Sequence, residues 1–281
     1  MRLLHSILLL ILILFTTSCS PVKRIKNLDY LPTELLTKDS NPKLNIFTLK
    51  EKPETAMPVI IFAHGGNWNR GDKDTYAFYG KDIAKRNIIL VVPEYTLSPN
   101  VTYDHQAQQI AACIQWTKEN IVQYGGDPNK IFMNGHSAGG HLSALSVINP
   151  KYGIDQKSIS GIILNDAAGL DMFWLNTINP PKKGGFYDYQ STFTNDPEIW
   201  KDASPIYFIS EENPPFLIFQ GTKTIESIAK TNNDFVNKLK EFQPDVQFIK
   251  QKKGHFGMML QFIWGGQETL NTIEMFVNAN N

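Results

Sequence analysis

The sequence predicts an α/β protein with a mostly parallel central sheet and helices on both faces. Three observations point there. Apolar runs recur at 59–63, 88–92, 131–133, 159–164 and 216–219, with a sixth, interrupted by Gln247, at 246–249. Runs of this length and apolarity suit strands covered on both faces. Helix-length segments lie between or after them, at 75–86, 105–124, 138–147, 232–241 and 267–277. Finally, strand and helix patterns alternate without an internal repeat, which is the order a parallel sheet requires. The chain has 281 residues, 42% of them hydrophobic, and 27 Lys+Arg against 27 Asp+Glu. That apolar content excludes a disordered chain. The balanced charge offers no basic field, so no nucleic-acid partner is expected. Two cysteines exclude a disulfide framework.

Taken in order, Arg2 and the apolar run at 7–15 read as an export leader ending at residue 18. The run is too short to span a bilayer, which takes about 20 residues. Cys19 follows Thr17 and Ser18 and resembles the lipidated cysteine of a bacterial lipoprotein, although Thr16 stands where that pattern prefers Leu. The expected location is the cell envelope, held to the membrane by lipid on Cys19; an ordinary cleaved leader would instead give a periplasmic or extracellular protein. Residues 19–43, with several basic residues and three prolines, read as a tether, and 44–281 as one domain opening on an edge strand at 44–49. The interval 171–213 shows no long strand or helix pattern but holds Phe173, Trp174, Phe186, Tyr187, Tyr189 and Phe193. A long irregular connection of this kind suits a short aromatic lid.

The chemistry concentrates in three places. Gly135-His136-Ser137-Ala138-Gly139 lies between a buried strand and a helix. This is the context of a nucleophile elbow, where glycines avoid collisions in a strained turn and the helix N-terminus faces an anion. Ser137 is therefore the candidate nucleophile. His64-Gly65-Gly66-Asn67-Trp68 follows another buried strand. The N–H groups of Gly66 and Asn67, with that of Ala138, are the candidate oxyanion donors. His64 reads as a structural hydrogen-bonder. Late in the chain, Gly254-His255-Phe256-Gly257 supplies His255, the candidate base, in an expected loop. Trp68, His136, Phe173 and Trp174 are the expected substrate contacts. No metal site is expected, because His-Glu-x-x-His and zinc-spaced Cys/His pairs are absent from the sequence. No cofactor is expected either.

These motifs, with Pro93-Glu94-Tyr95-Thr96-Leu97-Ser98-Pro99 and Tyr124-Gly125-Gly126-Asp127-Pro128, resemble the α/β-hydrolase esterases. The resemblance is strongest to the hormone-sensitive-lipase-like carboxylesterases, the bacterial feruloyl-esterase-like group and the kynurenine formamidases, and it runs from about Leu44 onward. It implies the α/β-hydrolase fold and a Ser–His–acid triad whose acid follows the seventh strand as Gly-x-x-Asp. Here that stretch reads Gly221-Thr222-Lys223-Thr224. The acid is then Asp166 at the end of the preceding strand, Glu226 just past Thr224, another carboxylate such as Asp171 or Asp234, or none. The expected activity is hydrolysis of a small carboxylic ester through an acyl-enzyme. The alternatives are an aryl-formamide hydrolase and an inactive binding protein of the same fold.

Overall fold

The computed structural model describes residues 21–51, 53–185, 188–264 and 266–280. The leader, Cys19, Phe186 and Tyr187 lie outside the described residues. An eight-stranded sheet organises the rest: β1 (Val22–Asp29), β2 (Lys43–Leu49), β3 (Met57–Ala63), β4 (Ile89–Pro93), β5 (Gly126–His136), β6 (Gly161–Asn165), β7 (Phe216–Gly221) and β8 (Gln247–Gln251), in the order β1-β2-β4-β3-β5-β6-β7-β8. The β1–β2 and β2–β4 pairs are antiparallel, and the six strands from β3 to β8 pair in parallel.

β3 shows why the apolar runs are continuous. Val59 and Ile61 join one core cluster, with Ile110 and Ile114 of α2 (Tyr103–Asn120) and Leu142 and Leu145 of α3 (Ala138–Ile148). Ile60 and Phe62 join the other, with Tyr79 and Ile83 of α1 (Ala77–Ala84) and Ile273 and Phe276 of α9 (Gln267–Ala279). Successive side chains point to opposite faces of a strand, so a strand buried on both must be apolar throughout. α7 (Glu226–Leu239) covers the first face through Phe235 and Leu239.

Three expectations are corrected. Residues 22–29 are the edge strand of the sheet, not a tether, and they displace β2 from the edge. Arg24 ion-pairs with Asp74 and lies over the Phe47 ring, so the basic residues of this segment belong to the folded body. The interval 171–213 is not irregular: it holds α4 (Met172–Ile178), α5 (Tyr189–Phe193) and α6 (Pro197–Asp202). Each starts at an aspartate, Asp171, Asp188 and Asp196, whose carboxylate accepts the backbone N–H of Trp174, Ser191 and Glu198 respectively. Such caps satisfy donors that a short helix leaves open. Third, His255 is not in a loop but opens the short helix α8 (His255–Leu260). Among the described residues no helix is long and apolar enough to cross a membrane.

Candidate active site

Consecutive strands deliver the candidate residues to one edge of the sheet. β5 ends at His136, and Ser137 occupies the turn into α3 with φ 54° and ψ −123°. A non-glycine residue with positive φ is strained and needs over-determined surroundings. Its flanks are packed tightly enough to supply them. A Cβ on Gly135 would lie 2.3 Å from the Gly139 carbonyl carbon, and one on Gly139 would lie 2.0 Å from the Ala63 oxygen. The backbone of Ser137 is tied to β6 and its exit, its N–H donating to Asn165 O and its carbonyl accepting from Ala168 N.

His255 bridges the hydroxyl and a carboxylate. Its Nε2 is 2.9 Å from Ser137 Oγ, and its Nδ1 is 2.6 Å from Asp166 Oδ2. Asp166 follows β6 with φ 50° and is fully buried. The same carboxylate accepts the Gly221 N–H at 2.9 Å through Oδ1 and the Thr224 hydroxyl through Oδ2. Burial pushes its pKa up, but the hydrogen bonds from His255, Thr224 and Gly221 outweigh burial and hold it below the ordinary carboxylate value. Asn165, its neighbour, donates to Met258 O at 2.7 Å and so anchors α8 beneath the imidazole.

His136 lies against His255, with ring centroids 4.8 Å apart and planes 28° from parallel. Its Nε2 is 3.3 Å from the His255 carbonyl. Burial, and next the facing His255 ring, push its pKa down to about 3. A neutral ring therefore backs the imidazole.

The glycine loop after β3 stands beside the serine, where a Cβ on Gly65 would come within 3.3 Å of Ser137 Cβ. Gly66, Asn67 and Trp68 have φ of 134°, 53° and 58°. His64 holds this loop: its Nε2 is 2.6 Å from Glu94 Oε1, its Nδ1 is 2.9 Å from Gly65 O, and its ring stacks on Tyr95. The structural reading of His64 agrees with these contacts.

The structure thus brings together Ser137, His255, Asp166, the Gly66–Asn67 loop and the N-terminus of α3 at Ala138. It does not bring Glu226 to the imidazole; that carboxylate is exposed in the first turn of α7. Asp171 caps α4, and Asp234 pairs with Lys230. Of the expected substrate contacts, Trp68 is 1% exposed and packs edge-on to His141 and Phe193, so it is core rather than pocket wall. His136 is similarly buried, beneath His255. Phe173 and Trp174 are partly exposed, against Tyr207 and beneath Lys230 respectively. Thr224 went unrecognised as a site residue, because its spacing from Gly221 signalled only a missing acid.

Comparison with known proteins agrees with this fold. The family model BD-FAE matches residues 44–172. Esterase LipC of Mycobacterium tuberculosis is 28% identical over 209 residues, covering 70% of this chain and 52% of LipC. The chain spans about half the length of the curated relatives it matches. Esterase B of Lactobacillus rhamnosis, in an inhibited crystal form, superposes with TM-score 0.74 at 18% identity, covering 92% of this chain and 87% of that one. Thermogutta terrifontis esterase 2, phosphonylated by sarin, gives 0.72 at 21% identity, covering 92% and 94%. The chain has the α/β-hydrolase fold, and in sequence it resembles the carboxylesterases of the hormone-sensitive-lipase-like type.

Proposed function

We propose that the protein is a serine hydrolase that cleaves small carboxylic esters through an acyl-enzyme intermediate. The observation that carries this reading is the His255 bridge, 2.9 Å to the Ser137 hydroxyl and 2.6 Å to the Asp166 carboxylate. Ser137 Oγ attacks the acyl carbon while His255 Nε2 takes its proton. The resulting oxyanion sits against the N–H groups of Gly66, Asn67 and Ala138, each worth about 3 kcal/mol of barrier in comparable sites. The imidazolium then returns its proton to the departing alcohol, and water repeats the cycle on the acyl-enzyme to release the acid. Asp166 keeps the imidazole in the tautomer that presents Nε2 to Ser137 and balances the charge that forms on it. The binding-protein alternative drew its force from Thr224 standing where an acid was expected; Asp166, within hydrogen-bonding distance of His255, favours catalysis.

Hydrolysis of p-nitrophenyl acetate tests the reading. Wild type is expected to turn over, and Ser137→Ala to fall by at least about 10³-fold. Equal turnover in both would end it. N-formylkynurenine, run beside the ester, decides between ester and aryl-formamide hydrolysis: a higher kcat/KM on the formamide would move the substrate class to amides.

A further inference from the structure

The turn after β7 does more than replace a missing carboxylate. Its backbone joins the segment that leads to His255: Thr222 N donates to Gln251 O at 2.7 Å, and Lys223 N to Lys253 O at 3.0 Å. A Cβ on Gly221 would lie 2.5 Å from Lys253 O, so the two segments are in close contact. From the same turn, the Gly221 N–H and the Thr224 hydroxyl both reach Asp166. Thr224 and His255 donate to one and the same oxygen, Oδ2. The turn therefore grips the carboxylate and the histidine segment together.

Resting on the catalytic reading above, we propose that Thr224 is a positioning residue: its hydroxyl fixes the rotamer of Asp166 and shares the charge that Oδ2 presents to His255. A carboxylate with two oxygens can turn about its χ2 bond, which is a soft torsion. Two donors on Oδ2 and one on Oδ1 leave a single orientation that satisfies all three. The hydroxyl also draws off part of the negative charge. Removing it leaves a more basic carboxylate, which favours the imidazolium. The other groups facing this pair are the His136 ring, held neutral, and Ser137. The ammonium of Lys253 turns away to Gln261, and Lys223 meets this segment through its backbone.

Three variants and two readouts test this. Thr224→Val keeps the shape and removes the donor; its kcat is expected to fall about 5- to 20-fold with KM little changed. The acidic limb of its kcat/KM profile is expected to move to higher pH by about half a unit or more. Thr224→Ser restores the hydroxyl and is expected to recover both readouts to within about 3-fold and about 0.2 units of wild type. Asp166→Asn serves as the reference for full loss of the charge, with kcat down about 10³- to 10⁴-fold. A Thr224→Val enzyme with unchanged kcat and an unmoved limb overturns the proposal. So does a Thr224→Ser enzyme as impaired as Thr224→Val, since the impairment would then not follow the hydroxyl. If Asp166→Asn is as active as wild type, the assignment of Asp166 as the triad acid fails, a result distinguishable from failure at Thr224 alone, while Ser137→Ala tests the catalytic reading itself.

Discussion

Trp68 fixes the protonation of His141, a buried histidine 73 residues further along the chain. Its indole N–H donates to His141 Nδ1 at 3.1 Å, and His141 Nε2 donates to Ala203 O at 2.7 Å. An indole N–H can only donate, so Nδ1 must accept and the ring must be neutral. Burial accordingly pushes the His141 pKa down to about 4, from an ordinary value near 6.5. His136 is held lower still, at about 3. Between those values and 6.5 the unfolded chain binds protons that the folded chain refuses. Stability therefore falls as pH drops below 6.5, by about 1.4 kcal/mol per pH unit for each histidine. Asp166 and Glu94 act in a lower window. Their folded pKa values are depressed, so their contribution is present above the ordinary carboxylate range and lost as pH falls through the depressed values. Urea denaturation from pH 7 to 5 is thus expected to show a falling midpoint, and His141→Gln a shallower fall. A wild-type midpoint constant down to pH 5 would contradict the neutral assignment.

Secondary-structure elements differ in how clearly the sequence announces them. β3, β4, β6 and β7 are legible because burial on both faces leaves no room for polar residues. β1 is not: it is an edge strand, paired only to β2, with Lys23, Lys26 and Asn27 exposed, and its composition is that of a linker. α4, α5 and α6 run seven, five and six residues, too short to display a helical period, yet each announces its start by an aspartate cap. Removing residues 21–29 tests the corrected reading of β1. It would expose the edge of β2, whose side chains are largely buried, and unpair a row of backbone groups. The shortened chain is expected to melt roughly 10 °C lower and to self-associate. An unchanged melting temperature would return the segment to the role of a tether.

Across the whole molecule, the sheet acts as a device for convergence. Ser137 follows β5, Asp166 follows β6, Thr224 follows β7 and His255 follows β8, while the glycine loop follows β3. Parallel strands end on the same side, so neighbours in the sheet place residues far apart in sequence around one point. Ser137 and His255 stand within motifs with their own local signatures and could be read from the chain. The partner of His255 could not, because Asp166 and Glu226 differ only in where the β6 and β7 exits lie relative to α8. That distance is a property of the sheet. The measurement that tests the central claim most directly is reaction with a fluorophosphonate, with the labelled peptide identified by mass spectrometry. A hydroxyl activated by this convergence is expected to give a single adduct on Ser137 in wild type and labelling slowed by at least about 10²-fold in His255→Ala. An unlabelled Ser137 in the folded wild type, or equal labelling rates in the two proteins, would contradict the account.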